Sequence, residues 1–335
     1  MWIGGNIDLR QILSREFSDL NFLPLPGYEV KYSGTKRLFG LKILMQVPKI
    51  LLALHKEHKW LKKIICDFRF DAVISDNRYG FYSKKIPSIF ITHQLFILSG
   101  MNSWIDDTLR RQNFKFLKKF QECWVPDVEK EPNLTGKLAH YKPVPKNVRY
   151  IGPISRFQNS DPEHYIYEIA IILSGPEPQR TIWEKILLNQ IRKSSNRILL
   201  VRGLPDAGEE IHIAAENIEI INYLGASELQ GKILRSEWIV CRSGYSSIMD
   251  LVSLQKKAVL VPTPGQTEQE YLAKHLLEKG MFYSTVQENF DLLAAIESAK
   301  KFNSKIPDSI CKMDEYKNVL RAFVSSLQKK RHEYQ

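Results

Sequence analysis

The sequence is poor in cysteine and has no long apolar run. Its four cysteines (Cys66, Cys123, Cys241, Cys311) form no Cys-x-x-Cys pair and stand at no Cys/His ligand spacing. That pattern excludes a disulfide framework and a zinc knuckle, and reads as reduced thiols in a cytoplasmic protein. No stretch approaches the roughly 18 apolar residues of a membrane-crossing helix. The opening MWIGGNIDLRQ has no basic region followed by an apolar core, so no signal peptide is expected there. There is no tandem repeat, no low-complexity tract, no aromatic RNP-type motif and no clear recognition helix. A nucleic-acid partner is therefore not expected. Acid is scarce in one region, since residues 36–63 contain only Glu57.

What is present fits a soluble globular chain. It has 335 residues, 44% hydrophobic and 25% charged, enough for a sizeable core and two domains. The net charge of +11 is one-sided. Residues 1–155 carry 25 basic and 14 acidic side chains, whereas residues 156–335 carry 23 of each. The first half therefore expects an anionic partner. Between Lys36 and Lys63, Leu41, Leu44, Val47, Leu51 and Leu54 recur at helical spacing, with Lys42, Lys49, Lys56, Lys59, Lys62 and Lys63 interleaved. Such a helix suits reversible attachment to an anionic membrane surface. The other reading is a core-facing helix with a solvated lysine face. Pro48 is expected to kink or divide it.

The second half alternates apolar runs with helical patterns. IAIILS (169–174), RILLVR (197–202), IEIINY (218–223), EWIVCR (237–242) and AVLVP (258–262) are short and nearly continuous in apolar character. These are strands buried on both faces of a parallel sheet. Helical segments such as 181–193 and 246–255 lie between them, which gives an α/β series and an open doubly wound sheet. The first half repeats the theme at 21–25, 71–75, 88–92 and 123–126. A proline-rich stretch, 143–157, marks the linker. The expected organisation is one α/β domain over 1–152, a second over 153–308 and a C-terminal amphipathic helix over 309–335. That helix carries Tyr316, Val319, Leu320, Phe323, Val324 and Leu327 on one face. Two such domains create a cleft at the carboxyl ends of their strands, where ligands bind.

Three strand ends carry the polar residues. Gly175-Pro176-Glu177-Pro178-Gln179-Arg180-Thr181 follows the first run, and the helix after it presents N–H groups to an anion. Arg242-Ser243-Gly244 follows another run, then Ser246 and Ser247. Pro262-Thr263-Pro264-Gly265 follows a third, with Gln266, Gln269 and Glu270 behind it. Ser247-x-x-Asp250 and Thr267-x-x-Glu270 both fit capping boxes. Three polar turns on one rim suit a diphosphate with sugars on either side.

The order GPEPQRT, RSGYSSIMDL, VPTPGQTEQEYLA resembles the C-terminal domain of family 28 glycosyltransferases, which have the GT-B fold of two Rossmann-like domains. The family includes the peptidoglycan N-acetylglucosaminyltransferases, and the resemblance covers about residues 165–285. It implies transfer of a hexose or N-acetylhexosamine from a UDP-sugar to an acceptor hydroxyl, with inversion and without a metal or other cofactor. It places Arg242, Ser243, Gly244, Ser246 and Ser247 around the phosphate, and Gly175, Glu177, Gln179 and Arg180 of the first turn are read as further donor-binding candidates. Asp250 stands where the family's ribose-binding acid stands, and the backbone at Tyr223 and Leu224 would meet the uracil. Gln269-Glu270 replaces the Gln-Gln pair that reads the sugar, with Gln266 beside it. Because an ionised Glu only accepts hydrogen bonds, UDP-glucose or UDP-galactose is expected to bind better than UDP-GlcNAc. In the first half the resemblance is looser: FDAVISDNRYG and IPSIFITHQ match in placement, making Asp76 and His93 the candidate catalytic groups. A structural histidine is the other reading of His93. No DxD-type metal motif accompanies the turns. The acceptor would be a glycan or glycolipid, met on the inner face of a membrane. The family's opening strand and Gly-rich loop have no counterpart in the sequence, so about one βα unit is expected to be absent. A UDP-sugar 2-epimerase and a sugar-nucleotide-binding protein without catalysis remain as alternatives.

Overall fold

The computed structural model describes the chain apart from residues 7–9, 11, 12, 15, 18, 26–38, 99–102, 161–163, 206–210, 212, 214, 312, 334 and 335. The side chains of 39–48, 50, 103 and 330–333 also lie outside the described set. The chain forms two compact units. The first comprises Met1–Gln11, Asp19–Pro153 and Lys312–Gln335, and the second Ile12–Ser18 and Ile154–Cys311.

In the first unit, β1 (Trp2–Gly5) pairs in parallel with β2 (Asn21–Pro24), followed by helix α1 (Phe39–Phe68). Strands β3 (Val73–Asp76) and β4 (Ser88–Ile91), helix α2 (Ser103–Leu117), β5 (Glu122–Val125), the short helix α3 (Lys137–His140) and β6 (Val148–Tyr150) come next. β3, β4, β5 and β6 lie side by side in that order, all parallel. The expected single open sheet is thus two sheets, because among the described residues no strand joins β1 or β2 to β3. Pro48 does not divide the basic stretch, which is one helix across it. The proline-rich 143–157 is more than a linker, since it contributes β6, paired with β5.

Phe90, Leu95, Leu117, Phe120, Cys123 and Val125 make one core of this unit. A second, of Leu25, Leu61, Ile65, Val73 and Phe81, seats the C-terminal half of α1.

The second unit contains β7 (Tyr167–Ile172), α4 (Gln179–Ile191), β8 (Ile198–Val201), β9 (Ile218–Ile221), α5 (Ala226–Leu234), β10 (Ser236–Cys241), α6 (Tyr245–Ser253), β11 (Lys257–Leu260), α7 (Thr267–Glu278), β12 (Tyr283–Ser284) and α8 (Leu292–Lys301). Its sheet runs β12-β11-β10-β7-β8-β9, all parallel. The chain builds outward from β7 to β9, returns to β10 and builds outward the other way. The order therefore reverses between β7 and β10, and ligands of open α/β sheets bind outside the carboxyl ends at such a point. Alternate residues of the strands (Ile169, Ile171, Ile198, Leu200, Trp238, Val240, Val259) pack with Trp183, Leu187 and Ile191 of α4 and with Leu292 and Ile296 of α8. Each fully buried side chain of this size contributes about 1.5–3 kcal/mol, so the rim is carried on a rigid floor.

The tail helix α9 (Glu315–Glu333) lies with the first unit. Its buried stripe is narrower than expected: Val319 and Phe323 are buried, while Leu320 and Val324 are 40% and 44% exposed. Residues 319 and 323 are one helical turn apart, whereas 320 and 324 are rotated a further 100° or so toward solvent. Phe323 meets Trp124 of β5 edge-on, with ring centroids 5.5 Å apart.

Candidate functional site

Three turns meet at the switch point of the second unit, after β7, β10 and β11. Gly175, after β7, has φ +104°, a region that only glycine enters cheaply. A Cβ there would stand 4.0 Å from Thr263 Oγ1, so backbone conformation and not crowding demands the glycine. The helix that follows does not present an open N-terminus. Glu177 folds onto it: its Oε2 accepts the N–H of Thr181 at 3.2 Å and its Oε1 accepts from Nε of Arg180 at 2.6 Å. The partial positive charge of a helix start is therefore met by the chain's own carboxylate. Slight burial raises the Glu177 carboxyl, but the bonds from Arg180 and Thr181 outweigh it and hold the group below its ordinary range. Arg180 is itself buried, pairing also with Glu184 of α4 at 3.3 Å, which in turn pairs with Arg202 at 2.5 Å. Arg202 reaches Asn222 at 2.8 Å, so one polar network braces the ends of β8 and β9. The sequence reading missed Glu184, Arg202 and Asn222; only Arg202, polar at the end of an apolar run, gave a signal.

The turn after β10 is different. Helix α6 starts one residue after Gly244, which adopts an extended conformation and carries no side-chain cap. A Cβ on Gly244 would meet nothing within 4 Å. Ser246 is exposed and Ser247 half-buried, and neither hydroxyl has a partner among the described residues. The first-turn N–H groups of a helix have no intrahelical acceptor, so this turn offers backbone donors and two hydroxyls together. The helix begins earlier than a capping box at Ser247 requires. Ser247 is the third helical residue, and Asp250 bonds elsewhere: its Oδ1 accepts from Ser155 Oγ at 2.6 Å. Burial raises the Asp250 carboxyl, against the pull of Ser155 and Arg156.

Arg242 faces inward and is only 1% exposed. Its Nη1 donates to the carbonyls of Val261 and Pro262 at 3.3 and 3.2 Å, and its Nη2 to the carbonyl of Gln179 at 3.3 Å and to Gln287 Oε1 at 2.6 Å. The guanidinium lies over the ring of Trp183, 4.9 Å from its centroid. Burial pulls it down to about 10, still charged at neutral pH. It ties the three turns together. Ser243 is buried too, donating from Oγ to the carbonyl of Gln269 at 2.8 Å.

At the third turn, α7 is preceded by Gln266 as N-cap, so Thr267 caps nothing as a box. Glu270 Oε1 accepts the N–H of Gly265 at 3.0 Å, bracing a turn in which Gly265 has φ +82°. Gln269 Oε1 accepts the N–H of Thr263 at 2.9 Å, which fixes its amide and leaves Nε2 as a donor. Tyr223 and Leu224 follow β9 and are half-buried, just before Gly225 opens α5. Gly225 donates its N–H to Glu228 Oε2 at 3.2 Å.

In the first unit, Asp76 ends β3 and pairs in register with Ile91, two residues before His93. The two groups interact electrostatically: surrounding protein raises the Asp76 carboxyl above its usual range, and His93 counteracts it. Asn77, at φ +52°, donates from Nδ2 to Asp76 Oδ1 at 3.2 Å. The loop behind is held by Ser75 Oγ donating to the carbonyl of Arg78 at 2.7 Å and by Arg78 pairing with the buried Glu57 at 2.8 Å. Gly80 lets α1 approach, since a Cβ there would lie 2.6 Å from Glu57 Cβ. Among the described residues no cluster of three His, Cys, Asp or Glu side chains has metal-binding geometry.

Residues 178–326 match the glycosyltransferase family 28 C-terminal domain. The chain is 20% identical over 266 residues to an uncharacterized glycosyltransferase of Methanosarcina mazei, covering 73% of this chain and 69% of that protein. It is 22% identical over 308 residues to the UDP-N-acetylglucosamine--N-acetylmuramyl-(pentapeptide) pyrophosphoryl-undecaprenol N-acetylglucosamine transferase of Glaesserella parasuis, covering 87% and 81%. Among solved structures, a spinosyn rhamnosyltransferase is similar in fold, with a TM-score of 0.61 at 11% identity over 96% of this chain and 91% of that one.

Proposed function

We propose, for a GT-B glycosyltransferase whose residues 178–326 form a family 28 C-terminal domain, that the donor is a UDP-sugar held at the start of α6. The uncapped turn Gly244–Ser247 carries the reading. The N–H groups and hydroxyls of Ser246 and Ser247 take the diphosphate, and the helix start offsets the charge that grows on the leaving UDP. No metal or other cofactor is assigned a part. Asp250 accepts from the ribose, the backbone at Tyr223 and Leu224 meets the uracil, and Gln269 Nε2 with Glu270 reads the sugar. Gly175, Glu177, Gln179, Arg180, Arg242, Ser243 and Gln266 shape the turns around it.

In the reaction, an acceptor hydroxyl oxygen attacks the anomeric carbon and the bond to the UDP oxygen breaks. The hydroxyl proton goes to Asp76, whose raised carboxyl and neighbouring His93 suit a general base. Inversion follows from a single displacement. The acceptor is a glycan or glycolipid at an anionic membrane face on the cytoplasmic side. In α1, Lys49, Lys56, Lys59, Lys62 and Lys63 are exposed, and Leu51 and Leu52 are 52% and 63% exposed beside them. Each lysine near an anionic leaflet contributes about 1 kcal/mol, enough together for reversible attachment. Leu41, Lys42, Leu44 and Val47 lie outside the described side chains.

The test is UDP release from UDP-glucose, UDP-galactose and UDP-GlcNAc, with chelator present, on anionic liposomes carrying a bacterial lipid extract. Acceptor-dependent release with a hexose donor supports the reading. Interconversion of the sugar without an acceptor contradicts it, as does activity that returns only with added metal.

A further inference from the structure

We infer that Ser155 is a positioning residue for the donor's ribose, acting through Asp250; this rests on the nucleotide reading of the α6 turn. Segment 154–157 is bound along α6 by three bonds. The N–H of Ile154 donates to Sδ of Met249 at 3.3 Å, Ser155 Oγ donates to Oδ1 of Asp250 at 2.6 Å, and Ser253 Oγ donates to the carbonyl of Phe157 at 2.7 Å. The N–H of Phe157 in turn donates to Ser155 Oγ at 3.0 Å. The serine hydroxyl thus accepts from one side and spends its single proton on Asp250.

That arrangement divides the Asp250 carboxylate. Oδ1 is committed to Ser155, and Oδ2 has no partner among the described residues while the side chain stays half-buried. Asp250 lies four residues after Ser246 and three after Ser247, so all three share one face of α6. It also stands about 7 Å along the axis from the helix start, which suits a ribose joined to a diphosphate at that start. An aspartate with both oxygens free could turn either way, or be protonated in a buried setting. The serine bond holds one oxygen down and presents the other as a fixed acceptor for the vicinal ribose hydroxyls. Arg156, next in the chain, also draws the carboxyl toward its charged form. The one hydroxyl proton of Ser155 is spent on Asp250, so its effect passes through that carboxylate.

The inference is tested by calorimetry with UDP and its 2′,3′-dideoxy analogue, on the wild type, Ser155→Ala, Ser155→Thr and Asp250→Asn. The wild type should prefer UDP by about tenfold or more, the scale of a hydrogen bond to a charged group. Ser155→Ala should cut that preference to about threefold or less, Ser155→Thr should restore it, and Asp250→Asn should largely abolish it. Binding of the dideoxy analogue should change little, which a general loosening of the fold would not give. A folded Ser155→Ala protein that keeps the wild-type preference overturns the inference while leaving the nucleotide reading intact. A wild type that binds neither compound overturns the nucleotide reading itself.

Discussion

Helices α4 and α6 leave neighbouring parallel strands at the same rim, and each starts behind a glycine-bearing turn. At α4 a carboxylate two residues upstream, Glu177, folds back on the N–H of Thr181. At α6 no side chain caps the start, and the glycine at the cap leaves open space where a Cβ would go. The same topology therefore yields one helix start met by the chain's own carboxylate and one without a side-chain cap, and the proposed donor site rests on that difference.

The largest expected effect concerns the residue that ties the turns together. Arg242→Ala leaves three carbonyls and Gln287 without their donor and opens a gap over Trp183. A loss of about 3 kcal/mol in stability to urea is expected. If Arg242 reached the ligand instead, the same variant would lose UDP affinity at nearly unchanged stability.

Next comes a variant that makes α6 resemble α4. Gly244 has a negative φ and an open Cβ position, so Gly244→Asp is sterically tolerated. It should gain about a few tenths of a kcal/mol as a helix cap. The same carboxylate would occupy the anion site, and UDP affinity measured by calorimetry should fall by about a hundredfold, roughly 2.7 kcal/mol. Unchanged affinity would erase the distinction between the two turns.

The reverse variant has the smallest effect. The Glu177 carboxyl is held below its ordinary range in the folded protein, so its contribution is present above the unfolded value and lost as pH falls through the folded one. The Glu177 side chain is 54% exposed and screened by solvent, so Glu177→Gln should cost under about 1 kcal/mol at pH 7. The difference from wild type should vanish in acid. A thermal-melt series from pH 7 to pH 3 checks it; a gap that widens in acid would contradict the capping role.

Much of the fold was legible because strand signals are local. The apolar runs at 169–174 and 237–242 became β7 and β10 within two residues at each end. The turns were legible as polar breaks between such runs. What each polar side chain does was not, because that depends on where a helix begins and which way a side chain faces. Ser-x-x-Asp marks a capping box only if its serine precedes the helix, and α6 starts two residues before Ser247. Arg242 carries no mark of facing inward, since its acceptors lie 19 or more residues away, at Val261, Pro262, Gln179 and Gln287. Ser155 and Asp250 are 95 residues apart in sequence and meet only in the folded unit. Glu177 was the nearest to legible: a carboxylate three residues before an arginine at a helix start is a local pattern.

The most direct measurement is amide-resolved NMR of the wild-type protein during a titration with UDP, in the presence of chelator. The amides of Ser246 and Ser247 should show the largest saturable shifts, while those of Arg180 and Thr181, already bonded to the Pro176 carbonyl and to Glu177, should move little. Largest shifts at Arg180 and Thr181, or none at the start of α6, would contradict the account.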